Sequence, residues 1–156
     1  VDYRAAKNQF KETESLTFKD PKGKCFRWVK AGSWQPTGKG VFLIHETYQL
    51  QALVGSFSEV ALDLVEFSPD TVMFQSPPKG FLGTEMISEG LITFALIKSP
   101  YWHRLLFELR EIVYMEWIPE LVTAELIGSD QAFPLAEKGA RSIELHADGK
   151  VKIRNA

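Results

Sequence analysis

Cysteine is almost absent: Cys25 stands alone among 156 residues. An internal disulfide and a metal-binding cysteine pair are both excluded, and the composition suits a reducing compartment. Histidine is scarce too, and His45, His103 and His146 lie too far apart in sequence to announce a metal site. No apolar run approaches the roughly 18 residues that a membrane-spanning helix needs. The longest runs, residues 91–97 and 112–115, are short or interrupted, so no transmembrane segment is expected. Charge of one sign is also lacking, because 18 Lys+Arg stand against 20 Asp+Glu for a net charge of −2. A protein that coats nucleic acid by bulk electrostatics needs a large cationic excess to displace counterions, and that mode is excluded. A phosphate-cradling glycine loop is missing as well, since Gly38-Lys39-Gly40 has neither a strand run before it nor a helix pattern after it.

What is present suffices for a packed core. Hydrophobic residues make up 45% and charged residues 24%, which excludes wholesale disorder. The length fits one domain. The chain starts Val1-Asp2-Tyr3-Arg4 without an initiator methionine and stops at Asn155-Ala156 straight after a strand-like stretch. The expectation is a single domain, 1–156, excised from a larger protein.

Leu16-Thr17-Phe18-Lys19 alternates as a half-buried strand does, Asp20-Pro21-Lys22-Gly23 makes a turn, and Cys25-Phe26-Arg27-Trp28-Val29 completes a hairpin. A Gly/Pro-rich loop follows over residues 32–40. Residues 41–54 are too long for one strand and lack a helical stripe, so they divide near Glu46-Thr47 into two strands. Val60, Leu62 and Leu64 alternate as another strand, Ser68-Pro69-Asp70-Thr71 turns, and residues 71–75 return, which predicts an antiparallel meander of about six strands. From residue 84 to 99, Ile87, Leu91, Phe94 and Ala95 follow helical spacing, with Pro100 as terminator. A second helix is predicted over 101–117, with Trp102, Leu105, Leu106 and Leu109 on one face, and a short one over 120–127. Asp148-Gly149 marks a closing hairpin between residues 143–145 and 151–153. Strands first, helices next and a final hairpin define an α+β domain, antiparallel hairpins packed against a small helical cluster.

The residues carry little that demands catalysis. Glu12/Glu14 and Glu108/Glu111 read as solvated faces rather than acid–base pairs, so the domain is expected not to be an enzyme by itself and to need no cofactor. His45 stands among apolar residues and His103 opens an amphipathic helix, each more simply a structural histidine than a ligand contact. Phe26, Trp28, Phe42, Phe94 and Phe107 sit at strand or helix spacing and read as core. Trp34 and Trp102 are the candidates for exposed aromatics.

Several strings, in order, resemble the cap-binding domain of polymerase basic subunit 2 of orthomyxoviruses, in its thogotovirus type. Thr17-Phe18-Lys19 is similar to that family's first hairpin, and His45-Glu46-Thr47-Tyr48-Gln49 followed by Leu53-Val54-Gly55 resembles its His-Glu-Gly-Tyr-Glu leading to Met-Val-Gly. Glu89-Gly90-Leu91-Ile92 and His103-Arg104-Leu105-Leu106 extend the likeness. The resemblance implies an influenza-type cap-binding fold in a viral RNA-dependent RNA polymerase subunit. It implies as partners the other polymerase subunits, with capped host messenger RNA or viral RNA beside them and no membrane, and as location the host nucleus and the virion.

Carried over residue by residue, the resemblance places His45 at the family's stacking histidine, Gln49 at its guanine-reading glutamate, and Leu64 at its assisting lysine. Ile97 falls at the stacking phenylalanine, with Phe94 one helical turn earlier as a substitute, and His103 completes the pocket. A glutamine offers no anionic acceptor, and hydrogen bonds to charged groups contribute about 1.5–3 kcal/mol against about 1 for neutral ones. Weak or absent cap binding is therefore expected. The alternative from another class is a protein–protein interaction module, unrelated to polymerases, presenting Trp34 and the Pro77-Pro78 loop.

Overall fold

The computed structural model describes residues 3–31, 40–69, 71–79, 90–119, 126–136 and 141–155. Helix α1 (Tyr3–Thr13) leads into the hairpin β1 (Ser15–Lys19) and β2 (Cys25–Lys30). Strand β3 (Val41–Ile44) ends in a 3₁₀ turn (Thr47–Gln49) that runs into the single-turn helix α2 (Leu50–Leu53), and α3 (Glu59–Glu66) follows. Then come β4 (Val72–Ser76), β5 (Ile92–Leu96), α4 (Pro100–Leu109), β6 (Val113–Trp117), β7 (Leu126–Gly128), β8 (Arg141–Leu145) and β9 (Val151–Asn155). Among the described residues no helix is long and apolar enough to cross a membrane.

Among the described residues nine strands form one mixed sheet in the order β7-β1-β2-β6-β3-β5-β4-β8-β9. Five neighbouring pairs are antiparallel, and three, β1–β7, β3–β5 and β4–β8, are parallel. The α+β class therefore holds. An antiparallel meander confined to the amino-terminal half does not, because β3 finds its neighbours in β5 and β6, far along the chain.

Both faces of the sheet are covered. Val41 and Leu43 point with Ala95, Val113 and Met115 into one core, where Trp102, Leu105 and Leu106 of α4 and Phe10 of α1 close over them. Phe42 and Ile44 point the other way with Phe94 and Tyr114, beneath Leu50 and Leu53 of α2 and Ala61 and Val65 of α3. A strand covered on both faces is apolar at every position rather than at alternate ones. This is the physical reason why Ile92–Leu96 and Val113–Trp117 carry helix-like runs and are strands.

Six further expectations are corrected by packing. The helix expected over 84–99 is, in its described part, the strand β5, and residues 84–89 lie outside the described residues. Pro100 does not end a helix but occupies the first position of α4, where its missing N–H costs nothing. The helix expected to reach residue 117 stops at Leu109, capped by Arg110 in the left-handed region (φ 58°). Residues 59–66 are helix rather than strand: Ser58 Oγ accepts a hydrogen bond from Ala61 N at 3.1 Å, an N-cap, and Ala61 and Val65 share a helical face. Residues 126–127, expected at the end of a short helix, open β7, while 120–125 lie outside the described residues. Trp102 is fully buried, its indole N–H donating to Ala132 O at 3.0 Å. Trp34 lies outside the described residues.

Both predicted hairpins are present. Gly23 (φ 81°) and Gly149 (φ 94°) supply the left-handed backbone that their turns require. Gly40 serves a different need, close approach: a Cβ there would collide with the Met115 carbonyl oxygen and lie 2.6 Å from the Tyr114 ring. Tyr114 is buried, and desolvation pushes its hydroxyl up to about 12, although a hydrogen bond with the Gly40 backbone works against the rise.

Candidate functional site

The central strand β3 delivers the site. Its last residue, Ile44, accepts a hydrogen bond from Ile97 N at 2.9 Å, which continues the parallel pairing with β5 one step past the strand. The chain then turns sharply at His45-Glu46 into the 3₁₀ turn. Gln49, three residues past the N-cap Glu46, folds its side chain back so that Oε1 accepts from Glu46 N at 3.1 Å and from His45 N at 2.8 Å. Helix and turn starts leave such N–H groups without main-chain partners, and a glutamine at the third position is a standard remedy. Gln49 is buried and its oxygen is committed to the turn, so it shapes the site rather than reading a ligand.

His45 lies at the centre of a ring cluster and is only 6% exposed. Three rings meet it nearly edge-on: Phe107 at 5.8 Å between centroids, His103 at 5.9 Å and Tyr48 at 6.4 Å, with interplanar angles of 86–90°. His103 Nε2 lies 3.2 Å from His45 O and donates to it when the proton is on that nitrogen. His45 Nδ1 has no hydrogen-bond partner among the described residues. Burial disfavours the imidazolium, the nearby His103 adds repulsion, and Glu46 only partly offsets both, so the His45 pKa is held below its ordinary value. The ring is neutral at pH 7.

The outer wall of this corner is open. Tyr48 is 68% exposed, Phe107 is 53% exposed, and Glu46 is exposed between the strand end and the turn. The corner thus offers two accessible aromatic side chains, a neutral buried imidazole and one carboxylate. No group of three or more His, Cys, Asp or Glu suited to a metal ion occurs among the described residues.

Of the residues singled out from the sequence, His45, Gln49 and His103 do meet here. Phe94 does not, because it sits on β5, not on a helix, fully buried and stacked on Phe74 at 5.5 Å and 21°. Ile97 is fully buried in the core beneath α4. Leu64 belongs to α3 and lines a separate groove. Phe107 was expected in the core and is exposed instead: it lies one helical turn after His103 on α4, a spacing that puts both beside His45. That i, i+4 spacing was the signal available for it. Tyr48 had none beyond its place in the turn.

No protein-family model matches the chain, and no curated protein matches it. Solved structures do. YciO of E. coli superposes with a TM-score of 0.69 at 13% identity, over 98% of this chain and 87% of that one. P. abyssi Sua5 complexed with L-threonine gives 0.65 at 11% identity, over 92% of this chain and 50% of that one. MTH1692 of Methanobacterium thermoautotrophicum gives 0.59 at 8% identity, over 98% and 85%. The chain spans about half the length of Sua5. At these identities the fold is what is shared, and it is the fold of YciO and Sua5. The orthomyxovirus resemblance, with its influenza-type cap-binding fold and cap-snatching function, is overturned by this agreement over nearly the whole chain. The short strings that carried it match in order but do not lie on the elements that it requires, since the likeness that ends at Ile92 needs a helix, and Ile92 opens the strand β5.

Proposed function

We propose that this chain is a ligand-binding domain with the YciO/Sua5 fold, taking a small metabolite of the amino-acid class at the corner between β3 and α4. One observation carries the reading: around a neutral His45, the exposed side chains are aromatic (Tyr48, Phe107) and acidic (Glu46). An ammonium group is attracted by an aromatic face through the ring quadrupole and by a carboxylate through charge, and both are present together. The first turn of α4, which leaves N–H groups without helical partners, adjoins the same corner through His103 and suits the carboxylate of a zwitterion. That a chain of the same fold holds L-threonine makes this compound the first to try.

Binding without a chemical step of its own is the form of the proposal. The expected polymerase partners, RNA and nuclear or virion location rested on the viral resemblance and have no separate support. Calorimetric titration with L-threonine tests the reading, with D-threonine and the corresponding hydroxy acid lacking the ammonium as controls. Saturable heat is expected, with an affinity that Glu46→Gln and Phe107→Ala each weaken by about tenfold, roughly 1.4 kcal/mol. Absence of heat and of any thermal shift across a panel of amino acids sinks it, as does binding that ignores both substitutions.

A further inference from the structure

The corner between β3 and α4 is rich in rings and poor in available hydrogen-bond acceptors, and this imbalance decides which kind of ammonium suits it. Its main-chain acceptors are already engaged. His45 O faces His103 Nε2 at 3.2 Å, Glu46 O accepts from Gln49 N at 3.2 Å, and the Leu50 N–H is shared between the carbonyls of Thr47 and Tyr48. Gln49 Oε1 serves two backbone N–H groups, and His45 Nδ1 is buried. Among the described residues of this turn, the one anionic acceptor is the Glu46 carboxylate, exposed at the rim.

Rings, by contrast, are plentiful. Tyr48 and Phe107 each stand nearly perpendicular to the His45 ring, at 6.4 and 5.8 Å between centroids, and both are more than half exposed. They arrive from different elements, the 3₁₀ turn and α4, and so flank the imidazole instead of stacking on it. Arg104, the neighbour of His103 on α4, is engaged elsewhere: its guanidinium lies over the Tyr3 ring at 4.7 Å and beside Glu108 at 3.9 Å.

We propose that the ligand of this corner is a quaternary ammonium compound, an N-trimethylated amino acid rather than one with a primary amine. The proposal rests on the amino-acid reading above and narrows it. A primary ammonium brings three N–H donors, and each one that leaves water needs an acceptor in return. A trimethylammonium group carries the same charge with no N–H at all. Its charge is spread over methyl groups that fit against aromatic faces, and a cation within about 6 Å of a ring centroid is attracted by the ring quadrupole. The methyl groups also leave water against Tyr48 and Phe107, a gain that grows with each one added. Glu46 then acts through charge alone and needs no hydrogen-bond geometry. The central imidazole is compatible with such a guest because it is neutral at pH 7, where an imidazolium would repel it.

Calorimetric titration of the chain with glycine, N-methylglycine, N,N-dimethylglycine and trimethylglycine tests this, with 3,3-dimethylbutanoate as the isostere in which carbon replaces the charged nitrogen. Affinity is expected to rise along the series, trimethylglycine binding at least about tenfold more tightly than glycine and than the uncharged isostere. Phe107→Ala and Tyr48→Leu should each weaken trimethylglycine binding by about tenfold. Both residues are exposed, so folding should be retained, and circular dichroism and melting temperature check it. Affinity that stays level or falls as methyl groups are added overturns the inference and leaves the amino-acid reading standing. An isostere that binds as well as trimethylglycine overturns it too, since the corner then reads shape and not charge. So does trimethylglycine binding that both ring substitutions leave unchanged, because the cation then sits elsewhere. Absence of binding by the whole series and by the amino-acid panel removes the inference and the reading together.

Discussion

His103 Nε2 lies 3.2 Å from the carbonyl oxygen of His45, 58 residues earlier in the chain, and so ties the first turn of α4 to the end of the central strand. The His103 imidazole also disfavours protonation of His45. His45 makes the corner between β3 and α4 sensitive to acid.

The sign follows from His45. Its folded pKa lies below the ordinary 6.5, chiefly through burial and then through His103, so on acidification the unfolded chain takes up a proton before the folded one does. Stability present above pH 6.5 falls as the pH drops from there to the folded pKa. Denaturant titrations between pH 7.5 and pH 5 should show this slope, and His45→Gln should flatten it. Equal slopes in both proteins place the titration elsewhere.

Replacing Gln49 removes an acceptor from two backbone N–H groups at once. Gln49→Ala is expected to lower stability by about 1–3 kcal/mol, the range for a buried donor left unsatisfied. Gln49→Glu retains an acceptor for both and should recover most of the loss at neutral pH. Urea midpoints decide the matter, and an unaltered midpoint in Gln49→Ala would show that water replaces the side chain without cost.

Asp20 organises the β1–β2 turn. Burial alone would raise its pKa, but N–H groups of Phe133, Lys24 and Lys22 and the Lys24 ammonium outweigh it and hold the carboxyl below the usual range. The stability so gained is present above the unfolded carboxylate pKa near 3.8 and is lost as the pH falls through the lower folded value. Asp20→Asn should cost about 2 kcal/mol at pH 7 and less below pH 3. Thermal melts at the two pH values measure the difference, and a cost that does not vary with pH contradicts the assignment.

Gly40 admits no side chain where the backbone enters β3 beside Met115 and Tyr114. Gly40→Ala must push β3 from β6 and should cost about 1–3 kcal/mol or more, as overpacking does. A guanidinium midpoint unchanged from that of the parent chain would show that the strand shifts freely.

How far the sequence discloses the structure depends on where each segment lies. The hairpin ending at Gly23 and the one at Asp148-Gly149 were legible because their turns are specified by local backbone chemistry. Strand β6 was not, since Val113, Tyr114, Met115 and Glu116 are all buried and a run covered on both faces has no period to read. Helix α1 escaped notice for the opposite reason: only Ala6 and Phe10 are buried in it, too narrow a stripe to register amid polar residues. In the site, His45 and His103 were picked out as candidates. The part of Phe107 depends on which face of α4 meets solvent, and that of Gln49 on a backbone turn, and neither is decided by residue type.

Strand β6 joins two portions of the sheet, with β7, β1 and β2 on one side of it and β3 and the remaining strands on the other. Its residues follow all of β1 to β5 in the chain. During synthesis the first hairpin and the β3–β5 region must therefore wait, each with an unfinished edge, until residues 113–117 have left the ribosome. Folding dominated by such distant pairings is slow. In the finished molecule the same strand is the seam along which the sheet would part first or hold longest, and hydrogen exchange of the Val113–Trp117 amides would report whether the two portions open separately or as one cooperative unit.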